Sequence, residues 1–187
     1  MNQYKYFSYL KTRSKLSFLY RKYFLYPKIN KFTKDEILDV GCGIGDYLSL
    51  TPNSIGVDIN QFNINHVLDM GLKALLLEGE VFPFDEEKFN SVVMDNVIEH
   101  LSDPEIVLSE IKRVLKKDGN LIIGIPGIKA YALDDDHKKF YTQKTLKDLI
   151  ESFGFTEIKF FHTPINIIFF SKYISHFVTY SIFKKNC

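Results

Sequence analysis

The chain has 187 residues and a mass of 21.8 kDa, enough for one domain with a substantial core and too few for two ordinary ones. With 45% hydrophobic, 15% aromatic and 25% charged residues, the composition excludes a wholly disordered, collagen-like or coiled-coil chain. A net charge of +1 conceals three blocks: nine Lys/Arg without an acid over residues 1–34, eleven against twenty-three Asp/Glu over 35–157, and four Lys without an acid over 158–187.

The first 33 residues read as one or two basic helices with Leu16, Leu19, Tyr20, Tyr23 and Phe24 on one side and Pro27 marking their end. Lys and Arg interrupt the apolar residues too often for a signal-peptide core. Only Cys42 and Cys187 are cysteines and they form no redox or metal-ligand spacing, so a reduced, cytoplasmic setting is expected. From Glu36 onward, short β-branched runs alternate with helical patterns, the signature of a mostly parallel sheet covered by helices. Strands are expected at Ile37–Val40, Ser54–Val57, Ala74–Leu77, Ser91–Met94, Leu121–Ile125 and Phe155–Phe161. One helix is expected over Pro104–Leu115, stopped by Lys116-Lys117-Asp118-Gly119, and a second from Thr142 to Ser152, ended by Gly154. After Phe161 the pattern fits either a helix carrying Phe169, Tyr173, Phe177 and Tyr180 or a last strand over Ile165–Phe170. Its uncharged runs, Phe160–Ser171 and Tyr173–Phe183, fall short of the roughly 20 residues that cross a bilayer. The expected organisation is a basic aromatic segment over 1–34 and a main domain over 35–187, with 162–187 an extension of open structure.

The most informative stretch is Ile37-Leu38-Asp39-Val40-Gly41-Cys42-Gly43-Ile44-Gly45. A buried strand that runs into closely spaced glycines makes a turn where a ligand meets bare backbone. The spacing is G-x-G-x-G rather than the G-x-G-x-x-G of dinucleotide sites, and the G-K-[ST] of a P-loop is missing. Asp58 closes the next strand, where an acid accepts hydrogen bonds from ribose hydroxyls. Glu78, after Leu75-Leu76-Leu77, is placed to accept from an adenine amino group, with Gly79 beside it.

Over about Glu36 to Phe161 the sequence resembles the class I S-adenosylmethionine-dependent methyltransferases. The glycine stretch is similar to the family's first motif and Gly56-Val57-Asp58 to its second. Phe82-Pro83-Phe84-Asp85, Phe89-Asn90-Ser91-Val92-Val93 and Val97-Ile98-Glu99-His100-Leu101 resemble the third cluster, and Leu115-Lys116-Lys117-Asp118-Gly119-Asn120-Leu121 the approach to the fifth strand. Glu78 stands where Asp is commoner, and Asn90 where Asp is frequent. The resemblance implies a Rossmann-like α/β fold, a doubly wound, mostly parallel sheet with helices on both faces, and S-adenosylmethionine as cofactor. It implies that Asp39 and the turn Gly41, Cys42, Gly43 and Gly45 hold the methionine part. Asp58 with Ile59 would take the ribose, Glu78 with Gly79 the adenine, and Asp95 would lie near the methyl.

Methyl transfer is an in-line displacement that alignment and desolvation accelerate, and a general base helps where the acceptor is a hydroxyl. Asp95, His100 and His137 are the candidate catalytic residues, each with a bland alternative: a helix cap for Asp95 or Asn96, a structural hydrogen-bonded His100, a loop residue at His137. Val97-Ile98 after Asn96 does not match the signature of DNA amino methyltransferases. A metal held by Asp134, Asp135, Asp136 and His137 is disfavoured because a run of acids is usually a solvated loop, and no metal is assigned.

Three readings compete for the basic aromatic ends: a cover over cofactor and sheet edge, an anionic membrane surface or lipid-linked acceptor, and nucleic acid, which is disfavoured for want of a motif. The expected function is methyl transfer to a small-molecule or lipid-associated acceptor, with contact at the inner face of the membrane. Its rivals are a nicotinamide-dependent oxidoreductase, a non-catalytic S-adenosylmethionine-binding partner subunit and an RNA methyltransferase that uses the basic ends.

Overall fold

A computed structural model of the chain describes residues 2–79 and 81–186. Seven strands form one sheet in the order β3-β2-β1-β4-β5-β7-β6. β1 (Ile37–Val40), β2 (Ser54–Asp58), β3 (Ala74–Leu76), β4 (Phe89–Asp95) and β5 (Leu115–Pro126) run parallel. β6 (Phe155–Thr163) and β7 (Val178–Lys185) close the far edge, with β7 antiparallel to both of its neighbours.

Alternation along the strands sorts side chains onto two apolar faces, because successive residues of a strand point to opposite sides. Leu38, Val92, Met94, Leu121 and Ile123 face one layer, which α5 (Glu105–Val114) and α7 (Gln143–Ser152) cover with Leu108, Ile111, Leu146 and Ile150. Ile37, Val93, Ile122 and Ile182 face the other, where Leu25, Tyr26 and Ile29 pack. Those three belong to a helical N-terminal run: α1 (Gln3–Lys11), α2 (Lys15–Tyr20), one π turn over Arg21–Leu25, and α3 (Tyr26–Asn30). α4 (Gln61–Asp69) packs beside β2 and β3, and α6 (Ile128–Tyr131) is a single turn after β5. The helices thus cover both faces of the sheet, as the sequence implies.

The differences from expectation have local causes. Pro27 does not end the N-terminal helices but sits in the first turn of α3, where its missing N–H costs nothing. The π turn before it adds a residue and rotates the helix. Leu16, Leu19, Tyr23 and Phe24 therefore stay exposed, while Leu25, Tyr26 and Ile29 go into the core. Lys116–Gly119 is not merely a helix stop: β5 starts at Leu115, and the pairing with β4 slips between Phe89 and Ser91 to take up the basic loop, with Asp118 at φ +58°. Ile165–Phe170 forms no strand; Ile168–Lys172 is a 3-10 turn, and Phe177 and Tyr180 are buried at and within β7 rather than on a helix. Among the described residues no helix is long and apolar enough to cross a membrane.

Candidate active site

Strand order reverses between β1 and β4, which leaves a crevice beyond their carboxyl ends. It opens into a cavity of about 1170 Å³ lined by the glycine turn, Asp39, Asp58, Asp95, His100 and His137. Gly41 has φ +71° and Gly43 φ +53°, and a Cβ on Gly41 would come within 2.4 Å of Val97 Cγ2. Only glycine lets this turn lie so close to the end of β4. The N–H groups of Gly41 and Cys42 donate to the Val57 carbonyl at 2.8 and 3.1 Å, which locks the turn onto β2. The next element is a short 3-10 turn over Leu48–Leu50 rather than a long helix, so the glycine turn presents bare backbone and not a helix dipole.

The other predicted cofactor contacts divide between the cavity lining and positions outside it. Cys42 lines the cavity at the turn while its side chain packs with Leu48, Ile64 and Val67, and burial pushes its thiol pKa up. Gly45 is buried against Val67 and Met70, outside the cavity lining. Glu78 and Gly79 are exposed beyond β3 and do not line the cavity. Ile59 lines the cavity with its side chain exposed and its carbonyl accepting from Gln3 Nε2 at 3.0 Å.

Asp58 is buried and already well supplied with donors. The backbone N–H groups of Gly43 and Asn60 reach it at 2.8 Å each, and Asn63 Nδ2 donates at 3.2 Å. Burial raises its pKa, and these bonds pull the other way. Asp39 is buried too, its pKa raised by burial and then by the neighbouring charges of Asp95, Asp58 and Asp46. Four carboxylates within mutual influence make the cavity a site for positive charge.

Helix α1 lies over this end of the cavity. Leu10 is buried there, the nearest atom to a Cβ built on Gly43 at 3.4 Å. Asn60 Nδ2 donates to the Gln3 carbonyl at 2.8 Å, Phe7 stacks on Phe62 of α4, and Arg13 pairs with Asp46 at 3.1 Å. The basic N-terminal segment covers the acidic body, one of the alternatives its charge implies.

Asp95, at the end of β4, accepts from Tyr180 Oη at 2.7 Å and from Asn96 Nδ2 at 2.8 Å, and lies 3.6 Å from Arg21 Nη1. Its carboxylate is tied to both ends of the chain and is not a free base. Neither Asp95 nor Asn96 caps a helix: the next element is a 3-10 turn over Ile98–His100 with no side-chain cap.

His100 and His137 come together, ring centroids 4.6 Å apart, because the N–H groups of Lys138 and Lys139 donate to the Glu99 carbonyl and fold the loop back. His137 Nδ1 lies 2.8 Å from the Tyr131 carbonyl and His100 Nδ1 3.4 Å from the Asp136 carbonyl. A carbonyl only accepts, so each Nδ1 is the donor, and in the neutral ring the lone pair then lies on Nε2. Burial, and then His137, lowers the pKa of His100. Glu99 is 1% exposed, and burial pushes its carboxyl pKa up to about 8.

Sequence reasoning missed Arg21, Tyr180, Gln3 and Leu10 as parts of the site. The block of nine N-terminal Lys/Arg facing an acidic body was the available signal for Arg21. Tyr180 gave none, because its role depends on β7 being inserted between β5 and β6.

Residues 38–123 match a family described as a methyltransferase domain. An uncharacterized protein of Methanocaldococcus jannaschii is 31% identical over 137 residues, 67% of each chain. A tRNA U34 carboxymethyltransferase of Nautilia profundicola is 35% identical over 72% of this chain, which spans only 51% of that protein's length. A solved structure of a SAM-dependent methyltransferase from Thermotoga maritima superposes with a TM-score of 0.76 at 20% identity, covering 99% of this chain and 100% of that one. Fold, motif order and sequence agree: the chain belongs to the class I S-adenosylmethionine-dependent methyltransferases.

Proposed function

We propose that the chain transfers a methyl group from S-adenosylmethionine to a small or lipid-associated acceptor that enters beneath the N-terminal helices. One observation carries the reading: a single cavity of about 1170 Å³ joins the glycine turn to the ends of β4 and the His100–His137 loop, room for the cofactor and part of an acceptor together. The residues present fit the cofactor. Its sulfonium and ammonium are cationic, and Asp39, Asp58 and Asp95 line the cavity. Its methionine part needs close backbone, which the Gly41–Gly43 turn offers at positive φ.

In this reading Asp39 and the turn hold the methionine part, Asp58 a ribose hydroxyl, and Asp95, kept oriented by Tyr180 and Arg21, stabilises the sulfonium end without taking a proton. His100 and His137 face the acceptor. Bound cofactor supplies the methyl group to a lone pair in line with the carbon–sulfur bond. Protein groups align the two and exclude water, which accounts for most of the acceleration such a displacement needs. Exposed Leu16, Leu19, Tyr23 and Phe24 at the cavity mouth suit the apolar part of a lipid-linked acceptor.

A second reading, an RNA acceptor, is favoured by the tRNA-directed relative and by the aromatic, basic N-terminal segment, on which unpaired bases stack. Purified protein with labelled S-adenosylmethionine separates the two. S-adenosylhomocysteine formed with a lipid or small-metabolite extract and not with total tRNA supports the first reading; formation with tRNA alone replaces it by the second. Binding of NADH without binding of S-adenosylmethionine in calorimetry defeats both.

A further inference from the structure

Glu99, His100 and His137 bring one carboxylate oxygen and two ring nitrogens within 4.8 Å of one another. Three independent features point the same way. Both carboxylate oxygens of Glu99 are buried and, among the described residues, have no hydrogen-bond partner. At such burial a carboxyl without a partner is held neutral by its own proton unless a cation takes the proton's place, so these two oxygens form a vacant cation ligand. Each histidine directs Nδ1 at a backbone carbonyl, Tyr131 or Asp136, which leaves Nε2 of the neutral ring as the ligand atom, the outer arrangement that metal-bound histidines show. Finally, His137 Nε2 stands 3.8 Å from Glu99 Oε1. Ligands at about 2.1 Å in a tetrahedral site are about 3.4 Å apart, so small side-chain movements complete the geometry.

We infer that Glu99, His100 and His137 bind one divalent transition-metal ion at the wall of the cavity. Two imidazoles and a carboxylate suit Zn²⁺, Co²⁺ or Mn²⁺ rather than the all-oxygen cages of Ca²⁺. Three protein ligands leave coordination positions open, the pattern of reactive rather than structural sites, and both histidines line the cavity. The role of the ion rests on the methyl-transfer reading; its binding does not. A hydroxyl of the acceptor bound to the ion loses its proton to solvent more readily. The resulting oxygen lone pair forms the O–C bond as the carbon–sulfur bond of the sulfonium breaks, and S-adenosylhomocysteine leaves. This assigns an oxygen atom as the methyl acceptor.

The test is a titration of tag-free, chelator-stripped full-length protein with Co²⁺, followed by visible absorption, and with Zn²⁺ by calorimetry. One equivalent of Co²⁺ with d–d bands of four- or five-coordinate N/O ligation is expected, with affinity at least tenfold weaker in Glu99→Gln and in His137→Gln. S-adenosylmethionine affinity of both variants, measured in the same samples, is expected within threefold of the parent. Less than half an equivalent bound by the parent protein overturns the inference, whatever the variants do. So does binding that either folded variant retains at full strength. If the ion binds and S-adenosylmethionine does not, the site stands and the methyl-transfer reading falls. If both bind yet turnover is unchanged between stripped and reloaded enzyme, the role given to the ion falls.

Discussion

Replacing Asp58 by Ala tests the cofactor assignment, and the structure sets the size of the effect. Its carboxylate has about four acceptor sites; Gly43, Asn60 and Asn63 occupy three of them, and the Ile59 N–H lies within reach of the fourth. At most one site is left for a ribose hydroxyl, so the lost interaction is no more than a single charge-assisted hydrogen bond of about 1.5–3 kcal/mol, or about 10- to 150-fold in affinity. Stability should fall as well, because two backbone N–H groups lose their acceptor; about 2–3 kcal/mol is expected, a drop of about 4–12 °C in melting temperature for a chain of this size. Loss of affinity alone is thus ambiguous between a lost ligand contact and a loosened turn. Asn63→Ala resolves it. That change removes one donor to Asp58 while also removing Asn63 Oδ1, which is buried without a partner among the described residues, so its net cost should be about 1 kcal/mol or less. Calorimetric titration with S-adenosylmethionine should give an affinity within threefold of the parent for Asn63→Ala and the full loss for Asp58→Ala. Equal losses in both variants would refute direct ribose binding, as would Asp58→Ala binding within threefold of the parent.

Tyr180→Phe removes a 2.7 Å hydrogen bond to Asp95 from a buried position and should cost about 1–1.5 kcal/mol, seen as a melting point lower by about 2–6 °C; an unchanged melt contradicts the tie between β7 and β4. Leu10→Ala takes the apolar anchor from α1 at a local cost of about 2–4 kcal/mol. Tryptic cleavage at Lys11 and Arg13 should accelerate at least tenfold, and a parental cleavage rate would mean that α1 is held by something other than Leu10. Gly41→Ala forces a Cβ to 2.4 Å from Val97 at φ +71° and should lower stability by at least about 2 kcal/mol in urea unfolding, with part recovered in the double variant Gly41→Ala/Val97→Ala. No recovery would place the strain in the backbone alone.

The parallel strands and the helices that cover them were legible because each has a periodic apolar pattern and a local stop. Asp103 accepts from Glu105 N–H at the start of α5, and Thr142 with Thr145 forms a capping box at α7, both signals carried by neighbouring residues. Asp39, Gly41, Gly43 and Asp58 were legible for the same reason: a strand, its turn and the acid of the next strand lie close in sequence. What escaped was set by contacts between distant residues. The side of the N-terminal helices that enters the core depends on a π turn, which leaves no period to read. β7 depends on the gap between β5 and β6, which nothing within Val178–Lys185 announces. Glu99 was visible as a neighbour of His100, but its meaning lies in burial and in His137, brought near by backbone bonds from Lys138 and Lys139.

The two basic ends converge on one carboxylate. Arg21 comes from the N-terminal segment and Tyr180 from the C-terminal strand, and both meet Asp95 at the end of β4. The part of the chain that matches the methyltransferase family, residues 38–123, contains Asp95 but neither partner. Freed of both, that carboxylate would face a cavity already lined by Asp39 and Asp58 with neither the hydroxyl nor the guanidinium that fixes its position. The basic helices and the last strand therefore complete the site that the family motif only begins, and the +9 N-terminal block is accounted for in part by the acids it covers.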